Sequence, residues 1–203
     1  MSSFVSCKKC AVTAIQGSNP WTWIALLYGL QVVGALLVTK LFDLSFSQTL
    51  LPVLILILGA FISFVISRRN HFTPKTAWQF WMPASVYALF IFTLSHTSFS
   101  TGPISFDTNL FHPLEYMTLG LFFAWAWYPL LHARGRKPFS IAFFSTGVIF
   151  GVSDEIHQAL VPGRTPSFVD LGWDFVGLCV GYSLFLVLLR VYENLRSPND
   201  TST

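Results

Sequence analysis

His112, Glu115 and Tyr116 stand at spacings i, i+3 and i+4, which places them on one helical face. Further along, Glu155 and Gln158 share a face, whereas Asp154 and His157 are read as projecting from another. Asp170 and Asp174 follow at i, i+4. Between the last two groups lies Pro162-Gly163-Arg164-Thr165-Pro166, a turn stiffened by two prolines that presents one guanidinium. Carboxylates beside a histidine can move protons, and an arginine can hold a phosphate or carboxylate in bidentate fashion. Like-charged carboxylates in one low-dielectric pocket repel, so a proton or a cation must offset them. Arg164, His112 and His157 are the local candidates.

The surroundings make these residues conspicuous. The stretch 151–177 is rich in charges and amides, yet strongly apolar segments flank it on both sides. The chain has 203 residues, 53% hydrophobic and only 10% charged, against about 25% charged in a soluble domain. Its mean hydropathy is +0.60. Too little polar surface is available to cover a water-soluble globule, so the sequence reads as an integral membrane protein. Ionisable groups inside spanning segments are expensive, and they mark functional sites by default.

A spanning helix needs about 20 mostly apolar residues. Six segments qualify, at 21–39, 50–66, 78–95, 110–131, 140–161 and 168–190. The expected fold is therefore an all-α polytopic membrane protein with about six transmembrane helices. Pro52 is expected in the first turn of the second helix, where proline is tolerated. Lys8, Lys9, Arg68, Arg69, Lys75, Arg134, Arg136, Lys137, Arg190 and Arg196 fall on one side, and only Lys40 and Arg164 on the other. By the positive-inside rule both termini are cytoplasmic, and the loops 96–109 and 162–167 face outward.

At 1.5 Å per residue, Glu115, Glu155 and Asp174 each lie about 10 Å inward of their helix ends. Three carboxyls from three helices then sit at one depth and are expected to converge on a water-accessible pocket. Facing lipid instead would cost on the order of 2.5–3.5 kcal/mol for each central acid. Ser167-x-x-Asp170 also matches a capping box, which gives Asp170 a structural role at the positive end of the sixth helix. Gly147-x-x-x-Gly151 and Gly177-x-x-x-Gly181 place small residues where helices can approach closely.

Other classes recede. The basic residues are dispersed, so no nucleic-acid surface forms. Cys7 and Cys10 make a lone C-x-x-C in a short tail, with no second pair to complete a zinc site. A metal centre would have to draw on His112, Glu115, Glu155 and Asp174, but only one histidine clearly belongs to the cluster, so no metal is assigned and the cofactor stays unknown. His96 and His157 read as solvated or interfacial. A proton-coupled transporter would need acids in the cytoplasmic half as well, and the intramembrane acids all lie in the outer half.

The motifs resemble a known family. Glu155-Ile-His-Gln158, Val161-Pro-Gly-Arg164-Thr-Pro-Ser167 and Asp170-Leu-Gly-Trp-Asp174-Phe-Val-Gly177 look like the signature of the VanZ-like family. Phe111-His112-Pro-Leu-Glu115-Tyr116-Met-Thr-Leu-Gly120 and Phe92-Thr-Leu-Ser95 resemble its other segments. The resemblance covers about residues 80–190. It implies a multi-pass protein of the bacterial inner membrane, in a family whose namesake is linked to resistance to teicoplanin, a drug acting on cell-wall precursors. Two departures are visible: Thr108-Asn109 where members often carry Asp-Lys, and Asp174 in place of a common asparagine.

The chain is accordingly expected to divide into an N-terminal tail with an additional helix pair (1–76), a four-helix core (77–192) and a polar C-terminal tail (193–203). The leading functional expectation is an envelope protein that binds a lipid-linked cell-wall precursor or an anionic lipid, with Arg164, Gln158, Asp170, Asp174 and Tyr116 holding it. The alternative is a membrane-embedded hydrolase or transferase. There Glu115 or Glu155 would be the general base, His112 the proton shuttle and Arg164 the oxyanion stabiliser.

Overall fold

The computed structural model describes residues 20–68, 78–96 and 111–196. Outside them lie Cys7, Cys10, Lys8, Lys9, Arg69, Lys75, Thr108 and Asn109, most of the loop 96–109, the expected boundary at 76/77 and the end of the C-terminal tail. Among the described residues the chain is all-helical, with six α-helices, one short 3-10 turn and no strand.

The helices are α1 (Pro20–Leu41), α2 (Phe46–Arg68), α3 (Trp78–Ser95), α4 (His112–Leu131), α5 (Arg136–Ala159) and α6 (Phe168–Arg196). Four of them (α1, α2, α5 and α6) are long and apolar enough to cross a membrane. The other two are shorter, at 18 and 20 residues, and rich in Trp, Tyr and Pro, which lowers their hydropathy. Apolar residues such as Leu30, Val33, Leu37, Leu51, Leu58 and Phe61 face outward on α1 and α2. A contiguous apolar surface of that kind suits acyl chains rather than water.

Helix ends depart from the expected ones, with consequences. The second helix begins at Phe46, four residues earlier than expected, so Pro52 sits inside it and not in its first turn. Neighbouring helices in a membrane bundle make such an interior proline tolerable. The fourth helix begins at His112, which puts Glu115 in its first turn. The fifth ends at Ala159, which puts Glu155 in its last turn. From these ends Glu115 and Glu155 lie roughly 4 to 6 Å inward and Asp174 roughly 9 Å, at 1.5 Å per residue. The acids are shallower than the loop positions suggested, and less even in depth.

Helix α4 is the centre of the bundle and packs most extensively on α6. Glycines make that closeness possible. A Cβ on Gly177 would meet the Pro113 carbonyl oxygen at 2.5 Å and the Met117 amide nitrogen at 2.9 Å. Gly181 sits against the Met117 backbone, with the Gly120 Cα at 3.2 Å from its Cβ position. Here small residues let two backbones touch, which is how helices associate where no hydrophobic effect drives them together. Gly147 and Gly151 of α5 instead receive side chains of α6, Leu178 and Leu171.

Tyr28 makes the most varied contacts of the first helix with this core. Tyr28 is fully buried; its hydroxyl donates to the Pro83 carbonyl at 2.6 Å, its ring stacks on Phe122 at 5.0 Å, and Gly59 of α2 makes room for it. Deeper support comes from Gln31, whose amide donates to the Thr118 hydroxyl at 2.9 Å. Trp21, two turns from Tyr28, meets Trp125 of α4 at 6.4 Å between ring centroids, so α1 contacts the bundle along several turns.

Candidate functional site

The loop after α5 brings α5 and α6 together at one end of the bundle. Gly163 takes φ +84°, a left-handed conformation in which glycine avoids a Cβ clash. Ser167 then caps α6, its hydroxyl accepting from the amides of Val169 and Asp170 at 3.2 and 3.4 Å. In a capping box the acid three residues on would accept the Ser167 amide. Here Glu155 of α5 does so, through Oε2 at 2.7 Å. That bond ties the end of one helix to the start of the next, and it gives Glu155 a structural task.

Beside this clasp, His112 Nδ1 lies 2.8 Å from Asp174 Oδ1. With Asp174 ionised its carboxylate can only accept, in which case Nδ1 donates and Nε2 takes no part in this bond. Both residues are buried, Asp174 almost wholly. On α5, Gln158 donates to Asp154 Oδ2 at 3.0 Å, and both are buried. Asp154 therefore faces inward with Glu155 and Gln158, and not from a different face as its spacing suggests. Residues 154 and 158 are one turn apart, so the face that buries Gln158 must bury Asp154 too. His157 stacks on Phe92 of α3 at 3.8 Å between ring centroids, with His96 at 5.5 Å beyond.

A cavity of about 190 Å³ opens at this end of the bundle. His112, Glu115, Gln158 and Arg164 line it, together with residues of α1, α2 and α3. Glu115 is half-buried and within electrostatic reach of His112, Asp154, Asp174 and Arg164. Among the described residues Arg164 pairs with no carboxylate, one of the two roles its position suggests. Its Nη2 donates to the carbonyl of Leu94, near the end of α3, at 3.3 Å, while its Nε is buried without a partner among the described residues.

The other named residues lie behind the cavity wall. Tyr116 is fully buried, and its ring and the Asp174 carboxylate meet at Gly151. Asp170 is buried in the first turn of α6. Tyr116 Oη and single oxygens of Asp154, Glu155, Asp170 and Asp174 are buried without a hydrogen-bond partner among the described residues. No group of three or more His, Cys, Asp or Glu side chains among the described residues is arranged to hold a metal ion. Sequence reasoning did not single out Asp154, nor the cavity contribution of Gln31, Thr49 and Ser95. The spacing from Asp154 to Gln158 could have revealed the first. No local signal marks the others, because an isolated polar residue on an apolar helix shows no partner in sequence.

A model of the VanZ/LLP1 family matches residues 22–190. The chain belongs to that family. The matched stretch runs through all the membrane-length helices, so this is a VanZ-like membrane protein. It takes in α1 and α2 as well as the segments carrying the signature motifs. No curated protein and no solved structure matches the chain.

Proposed function

We propose that this VanZ-like protein holds an anionic, lipid-linked envelope ligand in the cavity between α1 and α4, opening on the outer face of the bacterial inner membrane. All six helices cross the bilayer in this reading, with both termini cytoplasmic. The observation that carries it is Arg164. Arg164 lines the cavity together with largely apolar residues of α1 and α2, and among the described residues its side chain makes one hydrogen bond, of 3.3 Å, to the Leu94 carbonyl. An arginine so placed can turn both Nη groups toward a phosphate or carboxylate. His112, held by Asp174, and Gln158, held by Asp154, add oriented polar groups to the same cavity. Glu115 accepts a hydroxyl or amine of the ligand. A cell-wall precursor has these groups, and sequestering it would connect the protein to glycopeptide resistance of the teicoplanin type.

Lipid mass spectrometry on protein purified from membranes tests the reading. Wild type should carry an anionic lipid that Arg164→Gln loses while remaining folded. Identical lipid profiles from the two proteins would overturn it.

The Asp174–His112 pair favours one second reading, an acid–base enzyme. A carboxylate that fixes the histidine tautomer and presents Nε2 to the reacting atoms is the arrangement of hydrolytic triads. Conversion of the bound ligand that stops in His112→Asn, with ligand still bound, would select this reading.

A further inference from the structure

The cavity has two unlike sets of lining residues, and the reading above uses only one. The α1 and α2 contribution is Gly34, Ala35, Val38, Pro52 and Val53, with Thr39 and Thr49 beside them. Gln31, one turn deeper and bonded to Thr118, forms the floor. From Gln31 to Thr39 at the mouth is roughly 12 Å along the helix axis.

Size limits what can enter. A cavity of about 150 Å³ accommodates a benzene-sized group, so 190 Å³ admits a fragment only slightly larger. Two acyl chains do not fit, and a sugar–peptide headgroup would have to remain outside the mouth. A phosphate-sized head together with the first carbons of one chain fits.

The remaining hydrocarbon has a way out. Leu114 lines the cavity and is 49% exposed. Gly34 also lines it and is exposed, and a Cβ there would meet nothing within 4 Å. Close helix packing therefore does not account for this glycine, although glycine is less favourable than alanine in the middle of a helix. In a bilayer these exposed surfaces border acyl chains, so the cavity communicates sideways with hydrocarbon.

We infer that the cavity recognises the head-to-chain junction of a single-chain anionic amphiphile, an alkyl or isoprenyl phosphate. The phosphate lies on the Arg164 and His112 side, and the first chain carbons lie along Gly34, Ala35 and Val38. The inference rests on the anionic-ligand reading and adds the chain number and the orientation of the ligand.

Protein in lipid nanodiscs is titrated with inorganic phosphate and with butyl, hexyl, octyl and decyl phosphate, each corrected for uptake by empty nanodiscs. Affinity should rise roughly fourfold per methylene for the first carbons and then level off as the cavity fills. Gly34→Leu should flatten that rise and leave inorganic phosphate unaffected. Val38→Ala, which enlarges the cavity, should move the plateau to longer chains. Arg164→Gln should weaken every member of the series by a similar factor, inorganic phosphate included. A chain-length dependence unchanged in both Gly34→Leu and Val38→Ala overturns the inference while leaving the anionic-ligand reading intact. If wild type and Arg164→Gln bind the whole series equally, both fall.

Discussion

Replacing Gly177 with alanine adds one methyl group where the backbones of α4 and α6 touch. The new carbon would sit 2.5 Å from the Pro113 carbonyl oxygen, 2.9 Å from the Met117 nitrogen and 2.9 Å from the Tyr116 Cβ. Ordinary contact begins near 3.4 Å, so the helices must part by about 1 Å. Two of the three obstacles are backbone atoms, which no rotamer change can move. Overpacking a core costs about 1–3 kcal/mol and occasionally more; with rigid neighbours the upper end, about 3 kcal/mol, is expected. Gly172 provides a control on the same helix, because a Cβ there meets nothing within 4 Å. Helix propensity favours alanine by about 1 kcal/mol at both positions and cancels in the comparison, leaving Gly177→Ala and Gly172→Ala about 3 kcal/mol apart. Reversible SDS unfolding in mixed micelles, followed by tryptophan fluorescence, measures both. The His112–Asp174 bond lies within one turn of Gly177, so Gly177→Ala should also weaken ligand retention. Equal stability of the two alanine variants would refute the claim that backbone contact holds α4 to α6.

Asp174→Ala removes one partner of a buried pair and should cost about 3–5 kcal/mol. Asp174→Asn keeps an acceptor for His112 Nδ1 and should cost distinctly less, measured by the same unfolding assay. Glu155→Ala leaves the Ser167 amide without its acceptor and should cost about 1–2 kcal/mol, with faster hydrogen exchange confined to the first turn of α6. Tyr28→Ala should cost about 3–5 kcal/mol, whereas Tyr28→Phe should lose only about 1 kcal/mol for the bond to Pro83; equal losses would mean that the ring does not anchor α1. Cysteines placed at the exposed positions Lys40 and Lys137 should react with impermeant maleimide on opposite faces of intact cells, Lys40→Cys from outside. Labelling of both from one face would reject the proposed topology.

The apolar runs made the helices legible without any coordinates, since each backbone polar group in a membrane must be satisfied within its own helix. The motifs at 112–120 and 155–177 carried the family, and both the Ser167 cap and the close approach at Gly177 and Gly181 were written in local spacing. What spacing could not give was partnership between helices. Nothing local pairs His112 with Asp174, or assigns Glu155 to the Ser167 amide in place of Asp170, because those bonds depend on how three helix ends meet. Nor could it show α1 and α2 supplying part of the cavity lining. A residue such as Gln31 or Gly34 acquires its role only when another helix, and the space between them, is brought to it. Sequence determines which face of a helix is apolar; packing decides which faces come together and where they leave a gap.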